Sequence, residues 1–324
     1  MLPENIEVTV PAFAKLNLSL KVLYKRPDNF HEIATVFQTI SLSDDLTLRL
    51  DRSSSREVTV SCNVEIVGEN LAVRAANCVF DELATGAKLH ISIRKNIPMG
   101  GGLGGGSSDA ASVLLALPAL LGKPIPLARL LEIGATLGSD VPFFLLGGTC
   151  FASGRGEILE RLPDIPEIHG VLVAPGLHVS TPEAYKALKR LPRAELTGET
   201  QDAIIKRFRA FLGSIREGSS PEIWADICEN DFEPVAFEQH PKIHSYLEAI
   251  QRSGAWPARM SGSGSSLFGF YVSAEAAAAA EAKLGVELSG HVMAIQTVSH
   301  PQYERAWQRA LSSFTDGVHW PPRS

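Results

Sequence analysis

Pro98-Met99-Gly100-Gly101-Gly102-Leu103-Gly104-Gly105-Gly106-Ser107-Ser108-Asp109 is the stretch on which the reading of this chain turns. Six glycines in seven positions would weaken any regular element, because glycine loses the most backbone freedom on ordering and has no side chain to pack. The stretch follows an alternating, strand-like run at Lys88–Arg94 and leads into an Ala/Leu/Val helix from about Ser108 to Leu117. Glycine lets successive N–H groups point into one concavity and lets an oxyanion approach with no Cβ in the way, while the helix adds its positive end. Strand, glycine loop and helix start together describe a phosphate cradle. A Gly/Ser linker would not sit between a strand and an apolar helix.

The kind of cradle is narrowed by elimination. A P-loop needs a lysine after its last glycine, and Ser107 stands there. Gly100, Gly102 and Gly105 satisfy G-x-G-x-x-G, but Asn96-Ile97-Pro98 intervenes after the strand. A ribose-binding acid is expected ~20 residues on, and the first acid after Asp109 is Glu132. The V-A-I-K, H-R-D and D-F-G elements of the protein kinase fold do not appear.

Working outward, the chain has 324 residues, 45% hydrophobic and 20% charged, which suits one large or two ordinary domains and excludes general disorder. Thirty Lys+Arg against 36 Asp+Glu give a net charge of −6, which argues against a broad surface for nucleic acid or anionic lipid. An anionic partner must bind at a local site. Cys62, Cys78, Cys150 and Cys228 lie far apart with no C-x-x-C pair, so they read as reduced core residues rather than zinc ligands or disulfides. No export, transit or membrane segment is visible, and a cytoplasmic location is expected. Oligomeric state is left open.

Before the loop, β-like runs are expected at Ile6–Val10, Leu16–Leu23, Ile33–Ser41, Leu46–Leu50 and Val58–Ser61. The first four are separated by Pro11, by the turn Arg26-Pro27-Asp28-Asn29 and by Ser43-Asp44-Asp45. A helix is expected over Leu71–Leu83 with Asn70 as its N-cap, and another over Leu127–Leu137. The prolines of Leu162–Ile168 mark a domain junction, followed by a strand at Gly170–Ala174. Arg193–Gln201 and Ser219-Ser220-Pro221 read as mobile surface excursions around the basic helical stretch Ile204–Ile215. The last block reads helix (Ile243–Ser253), strand (Ser266–Val272), helix (Glu275–Leu284, N-cap Ser273) and strand (Val292–Val298). Without strict βαβ alternation, the class is α+β.

With its Ser-Ser at the helix start, the loop resembles the signature of the GHMP small-molecule kinases. Two further signatures of that superfamily stand in the right order, Pro11-Ala12-Phe13-Ala14-Lys15-Leu16-Asn17 and Met260-Ser261-Gly262-Ser263-Gly264-Ser265-Ser266-Leu267-Phe268. Ala14-Lys15-Leu16-Asn17-Leu18, Arg26-Pro27-Asp28-Asn29-Phe30-His31 and Leu137-Gly138-Ser139-Asp140-Val141-Pro142-Phe143 resemble one branch, whose acceptor is a cytidine-diphosphate-linked methylerythritol. The resemblance implies a ribosomal-S5-domain-2-like domain over residues 1–162 and a ferredoxin-like domain over 163–324. It implies ATP with Mg²⁺, and transfer of the γ-phosphoryl group to the acceptor's 2-hydroxyl in non-mevalonate isoprenoid biosynthesis.

Residue roles follow from the same resemblance. ATP falls to Asn70 and to Pro98, Met99, Gly100, Gly101, Gly102, Leu103, Gly104, Gly105, Gly106, Ser107 and Ser108. The two serines are placed to reach phosphates or the metal, whose ligands stay unassigned. On its own, Lys15 is a lone cation in an apolar-alternating strand and costly to bury unpaired. Either it faces solvent while Asp140 caps the next element, or the two pair. The resemblance implies the pair, with Asp140 as base and Lys15 as its partner. Asp109, directly after Ser107-Ser108, is a rival carboxylate, but it reads more readily as a capping acid in the first helical turn. For the acceptor, Phe30 would stack on cytosine where the family has tyrosine, keeping the π-face without the phenol. His31 would read the base edge, although a lone turn histidine is more often a surface residue. Tyr185 supplies a second ring, with Thr181 nearby and Asn17 at the methylerythritol end. Ser261, Gly262, Ser263 and Gly264 would let a loop close over the phosphates, or simply turn into the next strand. Two alternatives compete: a mevalonate- or homoserine-type kinase, which would need no cytosine pocket, and a non-catalytic nucleotide-binding regulator, which should have lost Lys15 or Asp140, whereas both are present.

Overall fold

In the computed structural model the described residues are 5–51, 55–65, 68–189, 201–214, 227–315 and Trp320. The chain opens with two 21-residue strands, β1 (Asn5–Lys25) and β2 (His31–Asp51), paired antiparallel. The four expected runs are therefore two. Pro11 does not end β1, because β1 lies at the sheet edge, where a missing N–H is tolerated. Ser43-Asp44-Asp45 does not end β2 either. Asp44 is wholly buried, and its Oδ1 accepts from the Asn96 and Ile97 N–H groups at 2.6 and 2.8 Å. A residue type that favours turns is thus held in a strand by partners distant in sequence. Register shifts at Phe13/Lys15 and Asn17/Ser19 mark bulges beside the residues of chemical interest.

The first sheet is completed by β3 (Glu57–Cys62), β4 (Lys88–Arg94), β5 (Thr149–Ser153) and β6 (Ile158–Arg161), in the order β3-β4-β2-β5-β6 with β1 on β2. Its core is filled from α1 (Leu71–Glu82), α2 (Gly105–Leu121), α3 (Leu127–Leu137) and α4 (Val141–Leu146). Helix α2 is buried continuously from Ser108 to Leu120, which is why its composition is apolar all round. It runs past the expected end, through Pro118, to a left-handed Gly122.

Beyond Leu162–Ile168, an antiparallel sheet of order β10-β7-β9-β8 forms from β7 (His169–Ala174), β8 (Ala258–Met260), β9 (Leu267–Tyr271) and β10 (His291–Gln296). Helices α8 (Pro241–Arg252) and α9 (Ala274–Glu287) pack on it, α9 capped by Ser273 as expected. Helices α5 (Thr181–Ala187), α6 (Gln201–Ser214) and α7 (Glu233–Gln239) lie between β7 and α8 in sequence. The expected excursion at Arg193–Gln201, apart from the Gln201 backbone, and the Ser219-Ser220-Pro221 turn lie outside the described residues. Helix α10 (His300–Leu311) returns to the first core with Tyr303, Trp307 and Leu311, and Trp320 Nε1 donates to Leu115 O at 2.8 Å. The cysteines are free; Cys150 and Cys228 are buried, Cys62 and Cys78 half-buried. Among the described residues no helix is long and apolar enough to cross a membrane.

Candidate active site

The three sequence signatures interlock through backbone. Lys15 N donates to Leu103 O at 3.1 Å, which ties β1 to the glycine loop. Ser261 Oγ accepts from Asn17 N and donates to Gly102 O, both at 3.2 Å, which ties the serine-glycine turn to each. The contact is close enough that a Cβ on Gly102 would lie 2.3 Å from Ser261 O, and Gly102 has a φ of 77°. Ser261 and Gly262 thus pack on the loop itself, and Asn230, which no sequence motif marks, holds the turn. Its Nδ2 donates to Met260 O and Gly262 O at 2.7 and 2.8 Å.

Lys15 is 3% exposed, and its Nζ stands 3.6 Å from Asp140 Oδ2. The same Nζ donates to Asn17 Oδ1 at 2.6 Å, and Asn17 Nδ2 donates to Thr35 Oγ1 at 2.7 Å, so the ammonium is positioned from two sides. Burial pulls the Lys15 pKa below its usual value, with the Asp140 carboxylate opposing the shift. Asp140 occupies the N-cap of α4 but makes no side-chain cap bond, and it remains 31% exposed. An anchored cation beside a solvent-reached carboxylate can orient a hydroxyl and accept its proton.

The glycine loop, with Asn70, borders a cavity of about 380 Å³. Gly100, Gly102 and Gly104 have φ of 68°, 77° and 73°, a left-handed backbone that side chains resist. Helix α2 begins at Gly105, with Gly104 as its N-cap, so Asp109 is not a capping acid of the first turn. It is buried one turn further in. Lys95 Nζ donates to Asp44 Oδ2 at 2.5 Å and to Asp109 Oδ2 at 2.9 Å, and all three side chains are almost wholly buried. Burial, with the Asp44 carboxylate adding and Lys95 opposing, pushes the Asp109 carboxyl up to about 7. This network clips β2, the loop's start and the first turns of α2 together. Sequence reasoning missed Lys95 and Asp44, since a lysine after a strand and an Asp-Asp pair both read as surface.

Asn70 caps α1, its Oδ1 accepting from Ala72 N at 2.8 Å, while also lining this cavity. Pro98 and the exposed Met99 form its rim. Ser107 lines the cavity, whereas Ser108 is buried with a hydroxyl that has no partner; Asp109 Oδ1 likewise has none. Orphaned oxygens at a phosphate loop fit a hard divalent cation or its phosphates. Among the described residues no group of three or more His, Cys, Asp or Glu could hold a metal.

A larger cavity, about 780 Å³, opens beside Asp140. Phe30, His31, Thr181 and Tyr185 all line it, as does Arg155. His31 stacks on Tyr185 (centroids 4.9 Å, 21°), which is braced edge-on by Phe232. Phe30 is 50% exposed, on a turn fixed by its N–H donating to Asp28 Oδ1 (3.1 Å) and by Arg26 bonding Asp28 and Glu32. Thr181 Oγ1 and Ser263 Oγ are hydrogen-bonded at 2.8 Å. A smaller cavity of about 130 Å³ joins the two sides, lined by Lys15, Asn17, Asp140, Gly102 and Tyr185 among others.

Fold and cradle define a kinase of the GHMP class, and comparison with known proteins agrees. The GHMP kinases N terminal domain pattern matches residues 70–148, and the GHMP kinases C terminal pattern residues 212–287. A homoserine kinase structure from Cytophaga hutchinsonii shares the fold at a TM-score of 0.68 and 17% identity, covering 92% of this chain and 98% of that one. A solved 4-(cytidine 5'-diphospho)-2C-methyl-D-erythritol kinase reaches 0.73 at 34% identity, over 89% of this chain and 98% of that one. The 4-diphosphocytidyl-2-C-methyl-D-erythritol kinase of Solibacter usitatus is 45% identical over 97% of this chain and 96% of its own length. That of Geobacter metallireducens is 39% identical over 90% and 99%. The chain belongs to the 4-diphosphocytidyl-2-C-methyl-D-erythritol kinase family.

Proposed function

We infer that this enzyme transfers the γ-phosphoryl group of ATP to the 2-hydroxyl of 4-diphosphocytidyl-2-C-methyl-D-erythritol, giving the 2-phosphate and ADP in non-mevalonate isoprenoid precursor biosynthesis. The observation that carries the reading is the Lys15–Asp140 pair, seated where the glycine cradle and the aromatic cavity meet. Asp140 takes the hydroxyl proton as the acceptor oxygen bonds to the γ-phosphorus, and the bridging β–γ P–O bond breaks with its electron pair leaving on ADP. Lys15, held by Asn17, orients the hydroxyl and offsets charge on the transferring group. The loop N–H groups and the α2 terminus bind the phosphates, Asn70 and Pro98-Met99 border the adenine end, and Phe30, His31 and Tyr185 receive the cytosine. Mg²⁺, when bound near Ser107 and Ser108, neutralises phosphate charge.

The test is ADP release with ATP and Mg²⁺, comparing the cytidine acceptor with mevalonate, homoserine and no acceptor. Turnover with the cytidine compound alone is expected. Turnover with mevalonate or homoserine instead would discard Phe30, His31 and Tyr185 as base readers, and ATP binding without turnover on any acceptor would favour a regulator.

A further inference from the structure

Four residues line both the large aromatic cavity and the small one at the catalytic pair: Asp140, Arg155, Thr181 and Tyr185. Arg155 is the one cation among them. An acceptor with its base among the aromatic rings and its hydroxyl at Asp140 must pass its linking diphosphate through this junction. We propose that Arg155 anchors that diphosphate, and that its contact with the Phe30 ring makes the site selective for a nucleoside diphosphate. The proposal rests on the function inferred above and adds the residue that reads the middle of the substrate.

The Arg155 backbone is built for the position. It sits between two glycines with φ of 71° and 117° in the tight connection from β5 to β6. Gly154 N donates to Glu32 Oε1 at 2.9 Å, Ile33 N donates to Gly154 O at 2.9 Å, and Arg155 N donates to Glu157 Oε2 at 2.6 Å. The connection is therefore pinned to the start of β2, one residue beyond His31. Its Cζ lies 4.7 Å from the centre of the Phe30 ring. A guanidinium carries five N–H donors, and a contact of its Cζ with a ring face occupies none of them as a hydrogen-bond acceptor would, so they stay available to an anion. Nε approaches Glu157 Oε1 at 3.5 Å, and the terminal nitrogens donate to no described residue. A phenyl ring at position 30 supplies the face that orients the guanidinium without a phenol to compete for the phosphate oxygens. A bidentate grip on a diphosphate is the chemistry arginine serves best.

The experiment is calorimetric binding of cytidine, CMP and CDP to the full chain and to Arg155→Ala, Arg155→Lys and Phe30→Leu, with steady-state constants for ATP and the cytidine acceptor. Arg155→Ala should weaken CDP by about 10- to 100-fold, the scale of lost charge-assisted hydrogen bonds, and cytidine by less than about twofold. The acceptor KM should rise with it while the ATP KM holds, and Arg155→Lys should recover part of the loss. Phe30→Leu should weaken both CDP and cytidine. Equal weakening of cytidine and CDP by Arg155→Ala would overturn the assignment in favour of base stacking, and unchanged CDP binding with intact wild-type turnover would overturn it outright. Failure of the wild-type chain to bind cytidine or turn over the cytidine acceptor would instead bring down the inferred function, and this proposal with it.

Discussion

The glycine cradle and the aromatic cavity meet at the small cavity that holds the Lys15–Asp140 pair, but they are made of different material. The cradle is backbone: three left-handed glycines, a close approach to Ser261 O, and beneath them the buried Asp44–Lys95–Asp109 network. The cavity is side chain, from the β1–β2 turn (Phe30), the first residue of β2 (His31), the β5–β6 connection (Arg155) and α5 (Thr181, Tyr185). On the function inferred above, phosphate recognition is then written into the packing around the glycine loop. Acceptor recognition, on the same reading, falls to Phe30, His31 and Arg155, which lie outside the cores, and to Tyr185, which packs against the second core. Substitutions should divide accordingly, cradle changes moving stability and ATP together and cavity changes moving only the acceptor.

The largest effect is expected where the two regions meet. Asp140→Asn should lower kcat by about 10³-fold, the scale of a lost general base, while ATP binding measured by calorimetry stays within about twofold; an unchanged kcat would remove Asp140 from the chemistry. Next comes Gly104→Ala. Its Cβ would lie 2.6 Å from the Phe144 ring at a φ of 73°, so a cost of about 1–3 kcal/mol in chemical denaturation should accompany a raised ATP KM. Loss of ATP affinity without loss of stability would break the contrast, because the cradle would then be separable from the core. On the cavity side, His31→Ala removes the ring stacked on Tyr185 and should raise the acceptor KM by roughly tenfold with ATP KM and melting temperature nearly constant. Parallel rises in both KM values would sink the division.

The same contrast governs what could be read from the sequence. A backbone site leaves a compositional trace, since nothing but glycine fits, and the loop, its flanking strand and its helix stood out at Pro98–Asp109. Caps such as Asn70 and Ser273 showed because their partners lie two or three residues away. Pro11 and Ser43-Asp44-Asp45 misled because they are local turn signals overruled by distant partners, an edge position for the proline and Asn96, Ile97 and Lys95 for Asp44. Lys95 and Arg155 are single cations whose importance lies in what the fold brings beside them, and no periodicity announces that. Phe30, His31 and Tyr185 were reached by resemblance alone.

The smallest expected effect bears most directly on the contrast, because Asn70 is a side chain in a site otherwise made of backbone. Its Oδ1 caps α1 through Ala72 N, and the residue also lines the nucleotide cavity. Asn70→Ala should cost about 1 kcal/mol of stability, as lost N-caps do, together with a few-fold rise in ATP KM. Asn70→Asp separates the two roles, since an aspartate caps as well as an asparagine but loses the amide donor and adds a charge near the bound nucleotide. Stability should then be near wild type while the ATP KM stays raised. A variant normal in both would make Asn70 a helix cap and nothing more, leaving nucleotide recognition to the loop backbone.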